Sequence, residues 1–272
     1  MGGDEPSAAE IERFVRRLHL DLSGTPPTES YLTDAMAGLK ASNQAKNRAA
    51  LADGLIADDS FAGVYVGELG NRAFGGESLN SRYDLLCAIT RGNNPECMEC
   101  APASDPCTGC ECEAVEVLES ERDQLALSAD TLANNSATTS EIERNYAASA
   151  AFRGLSNPTG LASALFESFL GRPAEGEELD NAAAMIIGAL LPETPAGLLF
   201  HRHGSSYDDL LDIVFESEVY REAAVSGVFL RYLGRLPSQA ESSHFSAQFD
   251  ALAPDIRPVI RAVVSSREYF EQ

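Results

Sequence analysis

Six cysteines, Cys87, Cys97, Cys100, Cys107, Cys110 and Cys112, crowd into one stretch of a 272-residue chain, and their spacing invites chemistry more than any other feature. Five of them read C-x2-C-x6-C-x2-C-x-C. A short C-x2-C turn lets two thiolates meet one tetrahedral ion, so Cys97, Cys100, Cys107 and Cys110 form a four-sulfur set able to hold zinc or an iron–sulfur centre. Against this, the six-residue spacer is short for a zinc ribbon, Cys112 is a thiol too many, and the segment has no histidine. Disulfides are the favoured expectation. A segment rich in Cys, Pro and acidic residues has no core of its own, and bridges contribute most there. Six cysteines permit fifteen pairings and the sequence selects none of them. A catalytic dithiol is disfavoured, because the helix amino terminus and βαβ setting that lower a thiol pKa are missing. No C-x-x-C-H haem attachment occurs. The first reading therefore needs no cofactor, and the alternative needs zinc or iron–sulfur.

The histidines are a thinner prospect. His201 and His203 flank Arg202 in a stretch predicted to be a loop ahead of a helix starting near Tyr207. With Asp208 or Asp209 they could ligate a metal, which makes a metal-dependent hydrolase the third functional reading. A solvated loop is the commoner meaning of such a pair. His19, beside the apolar stripe, reads as a helix-surface or half-buried residue rather than a base, and His244 reads similarly. No serine stands in a G-x-S-x-G setting, and neither G-x-G-x-x-G nor a Walker loop is present. The pairs Glu177-Glu178 and Asp208-Asp209 fall at expected helix starts, where they complement the macrodipole. No catalytic residue is assigned, and a non-enzyme is expected.

The elements around these residues come from a phrase that occurs three times. Leu22-Ser-Gly24-Thr-Pro-Pro27-Thr28-Glu29 recurs as Leu170-Gly171-Arg172-Pro173-Ala174-Glu175 and as Leu233-Gly234-Arg235-Leu-Pro237-Ser238-Gln-Ala-Glu241. Glycine past a helix end tolerates the left-handed conformation, and proline suits the next helix start, so the phrase predicts helix, tight turn, helix. Gly24, Gly171 and Gly234 are the structural turns. Ser238 and Glu241 have capping-box spacing, whereas Ala174 leaves the second helix start weakly marked. Ahead of each turn runs an apolar helical stripe: Ile11, Phe14, Val15, Leu18, Leu22; then Leu161, Leu165, Phe166, Phe169, Leu170; then Val225, Val228, Phe229, Tyr232, Leu233. Each copy closes on an aromatic, at Phe61, at Tyr220 and at Tyr269-Phe270. Arg172 and Arg235 are expected to pair with acidic groups.

These copies predict an all-α chain of helical repeats: copy 1 over residues 8–75, copy 2 over 156–222 and copy 3 over 223–272, with an insertion over 76–155. In the insertion, Gly75-Gly76 and Gly92-Asn93-Asn94-Pro95 read as turns. One helix is predicted from Val115 to Leu132 and a shorter one through Ile142 and Tyr146. No stretch alternates long enough to suggest a sheet.

Lys and Arg number 20 against 42 Asp and Glu, a net charge of −22. Such a surface repels nucleic acid and anionic lipid, whose recognition begins with cationic contacts. It leaves room for a basic partner. No run approaches the roughly 18–20 apolar residues of a membrane span. The absence of tryptophan weakens a sugar-binding reading. The amino terminus shows no leader pattern, and the expectation is that Gly2-Gly3-Asp4-Glu5-Pro6-Ser7 starts a tether such as follows the lipid-bearing cysteine of bacterial lipoproteins.

The run Phe14-Val-Arg-Arg-Leu-His-Leu-Asp-Leu-Ser-Gly-Thr-Pro-Pro-Thr28 resembles the opening of an uncharacterised domain of large exported planctomycete and myxobacterial proteins, often found beside c-type cytochrome modules. The later phrases, with the closing Ser-Arg-Glu-Tyr269-Phe270, resemble a helical repeat of bacterial surface proteins, distantly like the phycobilisome linker domain. The resemblance covers about half the chain. It implies export, a periplasmic or cell-surface lipoprotein, and a role in binding an envelope protein, with a c-type cytochrome as one candidate partner. It supplies no catalytic residues.

Overall fold

The computed structural model describes residues 6–94, 97, 112–154, 157–188, 195–248 and 254–272. In chain order the helices are α1 (Ala8–Ser23), α2 (Glu29–Ala41), α3 (Ala45–Ile56), α4 (Asp59–Phe74), α5 (Leu79–Asn93), α6 (Glu113–Ala126), α7 (Ser128–Ala133), α8 (Thr139–Ala148) and α9 (Ala150–Arg153). Then follow α10 (Pro158–Leu165), running on as a π-helical turn over Phe166–Leu170, and α11 (Glu177–Ile187). After the strands β1 (Gly197–Leu199) and β2 (Arg202–Gly204) come α12 (Tyr207–Phe215), α13 (Glu218–Leu233), α14 (Gln239–Ser246), α15 (Arg257–Val264) and α16 (Arg267–Glu271). Among the described residues the fold is all-α with one antiparallel hairpin. The chain forms two compact units, one of Met1–Val66, Ala129–Thr139 and Ala224–Gln272, the other of Gly67–Ser128 and Ser140–Ala223.

In the first unit, the stripe of α1 (Ile11, Phe14, Val15, Leu18, Leu22) is buried in one core with Val225, Phe229, Tyr232, Val263, Tyr269 and Phe270. The first and third phrases thus flank a shared interior. Phe14 meets Tyr269 edge-on at 5.9 Å and Phe270 at 5.2 Å between ring centroids. Polar bonds fix this packing: Tyr269 donates to Asp21 Oδ2 at 2.7 Å, and Arg17 Nη2 donates to the Tyr232 carbonyl at 2.8 Å. Arg48 of α3 is buried, donating to the carbonyls of Ser265 and Asn43 while lying over the Phe270 ring.

In the second unit, Phe169 packs on Phe152 and Phe215, and Phe215 packs on Tyr220. A buried carboxylate, Glu143, accepts from Tyr220 at 2.9 Å and pairs with Arg72 at 2.6 Å, so its charge is met inside the unit. The hairpin seats on α11 because Gly197 lacks a Cβ, which would lie 2.5 Å from the Asn181 carbonyl oxygen.

Several local expectations change. Gly92 lies in the last turn of α5, and the break comes at the cap, Asn94. The helix expected from Val115 to Leu132 is two, α6 and α7, parted at the exposed Leu127. Val115, Leu125 and Leu132 nevertheless face inward as the periodicity requires. The predicted loop at 201–203 is the turn and second strand of the hairpin. Its strands are three residues each, too short for alternation to register, and Phe200 and His201 adopt the positive φ of a two-residue turn.

Candidate functional site

The three phrases hold the most specific geometry in the chain. Gly24, Gly171 and Gly234 follow helices with φ of +71°, +64° and +66°, the left-handed region that ends a helix most readily at glycine. After the second and third, an arginine closes a clamp. Arg172 donates Nη1 to Glu178 Oε2 and Nη2 to Glu178 Oε1, both at 2.7 Å. Arg235 repeats it on Glu241 at 3.0 and 2.8 Å. In each clamp the glutamate, six residues on, also accepts a backbone N–H from three residues before it, Glu175 in one and Ser238 in the other. Each guanidinium lies over the phenylalanine six residues before it, Phe166 at 5.3 Å and Phe229 at 5.1 Å. Arg235 reaches further, gripping Glu268 at 2.6 Å through two nitrogens. The bonds from Glu268 and Glu241 raise the Arg235 pKa, and Arg235 in turn holds the Glu241 carboxyl down at about 2. The expected pairing of Arg172 and Arg235 with acids holds. The Ser238–Glu241 capping box is formed, whereas the cap of α11 is Gly176, which offers no side-chain bond.

At the corresponding positions the first phrase has none of these three residue types. His19 stands six residues before Thr25, and Tyr31 six after it. His19 Nδ1 lies 2.7 Å from both the Thr25 carbonyl oxygen and Ser23 Oγ. Ser23 donates to the His19 carbonyl, and the imidazole meets the Tyr31 ring edge-on at 4.9 Å. A cleft of about 470 Å³ opens here, lined by His19, Ser23, Thr25, Tyr31, Asp58 and Ser60 over a floor that includes Leu51 and Leu55. Asp58 Oδ1 accepts from the Ser60 N–H at 2.9 Å and hydroxyl at 2.5 Å, and these bonds keep its carboxyl below the ordinary aspartate range. Partial burial pushes the Tyr31 phenol up. His19 is half-buried, within the expectation for a residue beside the apolar stripe. The spacing of residues six before and six after the turn could have exposed the cleft.

Cys97 and Cys112 are joined by a disulfide, with Cα atoms 5.3 Å apart. Cys87 is disulfide-bonded as well. Cys97 belongs to the alternative metal set, and as a half-cystine it offers no thiolate. Cys100, Cys107 and Cys110 lie outside the described residues. His201 and His203 are exposed on the hairpin. Asp209, offered as their co-ligand, instead accepts the Ser205 N–H at 2.7 Å, ahead of α12. Among the described residues no group of three or more His, Cys, Asp or Glu is placed to hold a metal, and no helix is long and apolar enough to cross a membrane.

No protein-family model, curated protein or solved structure matches this chain.

Proposed function

We propose that this protein is a non-enzymatic helical scaffold of the bacterial envelope, exported and lipid-tethered, in which three helix–turn–helix copies and a disulfide-stapled insertion bind another envelope protein. The observation that carries the reading is cysteine oxidation. Every cysteine among the described residues is bridged, which suits an oxidising compartment and not a reducing cytoplasm. The clamped turns support the structural half of the reading. Bidentate arginine–carboxylate pairs fix the turns between helices, as a scaffold needs. The acidic surface favours a partner with basic groups.

Two measurements on protein from its native host test this reading. Intact mass should rise by two hydrogens per bridge on reduction, with alkylation labelling the bridged cysteines only after reduction, and no stoichiometric metal should be found. Fractionation should find the chain with the envelope, where cross-linking captures a protein neighbour. Reduced thiols with near-stoichiometric zinc or iron would replace the scaffold by the metal-binding alternative. A soluble cytoplasmic chain would remove export.

A further inference from the structure

The cleft at the first phrase occupies the place that an arginine fills in the third. There, Arg235 lies over Phe229 and binds Glu241, six residues on, and Glu268, two residues past the helix cap Ser266. Counting the same steps from Gly24 gives His19 for the phenylalanine, Thr25 for the arginine, Tyr31 for the first glutamate and Asp58 for the second. All four line one cleft. A threonine is too short to span it.

We propose that this cleft receives the guanidinium of an arginine carried by a partner protein, so that the partner completes in trans the clamp that Arg235 makes within the chain. The proposal rests on the scaffold reading and names the chemistry of its partner. The wall keeps what a planar cation needs. Asp58 supplies a carboxylate, and its Ser60 bonds use only Oδ1 among the described contacts. Tyr31 supplies an aromatic ring, and Ser23 and Ser60 supply hydroxyl oxygens. A guanidinium can stack on the ring while donating along several directions at once. An ammonium is a more strongly hydrated point charge and suits the site less well. The net charge of −22 draws a basic partner toward the surface before any contact forms.

The test is titration of the full chain with N-acetyl-arginine amide, followed through the backbone NMR signals of Gly54, Asp58 and Ser60. Saturable shifts are expected, with the lysine analogue binding several-fold more weakly. Asp58→Asn keeps a side chain that caps a helix as well as aspartate does, and should weaken arginine binding roughly ten-fold through loss of one charge-assisted bond. Thr25→Arg supplies the cation internally and should abolish the shifts. Shifts that never saturate, that do not distinguish arginine from lysine, or that persist unchanged in both variants would overturn the proposal and leave only diffuse attraction to an acidic surface. A wild-type protein that is exported and partner-bound yet ignores arginine would end this inference alone. A cytoplasmic, reduced protein that still binds arginine at the cleft would end the scaffold reading alone.

Discussion

Arg235 and Glu241 face each other across the third turn in a two-point clamp, Nη1 to Oε2 at 3.0 Å and Nη2 to Oε1 at 2.8 Å. Arg172 and Glu178 do the same across the second. Because the bonds favour the ionised glutamate, Glu241 is depressed to about 2 in the folded protein, against an unfolded value near 4.3. A lowered carboxylate pKa contributes stability above the unfolded value and loses it as pH falls toward the folded one. Glu241→Gln should therefore destabilise at pH 7 and cost progressively less between about pH 5 and pH 2. Both side chains are about one-third exposed, so water screens the pair and the loss should be about 0.5–1 kcal/mol. Urea titrations of both forms across this range check the sign. A penalty independent of pH would mean that packing, not charge, sets it.

The turn glycines should differ in a graded way. Gly171→Ala and Gly234→Ala place a Cβ in open space but keep a left-handed backbone, at a cost of about 1 kcal/mol each. Gly24→Ala has the same backbone strain, and its Cβ would also lie 2.9 Å from Val64 Cγ2, so it should cost more than either. Thermal melts of the three variants rank them directly.

Breaking the Cys97–Cys112 bridge should also weaken the fold. It closes a loop of 15 residues, for which chain entropy gives about 3 kcal/mol, with native-state adjustment taking the value toward 2. The Cys97→Ser/Cys112→Ser double variant should lose that much, and should leave a smaller further response to dithiothreitol than the parent shows.

Arg48 is the buried charge most open to test. Desolvation lowers its pKa, and its hydrogen bonds run to the Ser265 and Asn43 carbonyls and the Asn43 side chain. Arg48→Ala leaves the buried Ser265 carbonyl unmet and strips cover from Phe270, and should cost about 2–3 kcal/mol by denaturant melt. Arg48→Met restores part of the cover and should recover part of the loss.

The helices and their inward faces were legible because local periodicity dictates them. Ile11 through Leu22 show it, as do Val225 through Leu233, and the turn glycines carry their own conformational signature. The hairpin was not legible, since three-residue strands give alternation nothing to act on and a turn at Phe200-His201 lacks the usual glycine. The break at Leu127 escaped for another reason: Leu125, Ala129 and Leu132 keep i, i+4, i+7 spacing across it, so the apolar pattern runs on unchanged. The cleft depends on a comparison between distant segments. His19, Tyr31 and Asp58 are unremarkable one by one, and only the clamps at Arg172 and Arg235 show what those positions hold elsewhere. Arg48 gave no signal, because an arginine among alanines looks like any solvated helix residue.

The joining of Arg17 to Gln272, across a sequence separation of 255, sets a timetable for the first unit. At about 5–20 residues per second, the ribosome releases α1 roughly ten to fifty seconds before its last partners exist. Through that interval Phe14 and Leu18 have no Tyr269 or Phe270 to cover them, and long-range closure of this kind is slow even once the chain is whole. The nascent chain thus spends that interval with the part of the α1 stripe that faces the carboxy-terminal helices uncovered.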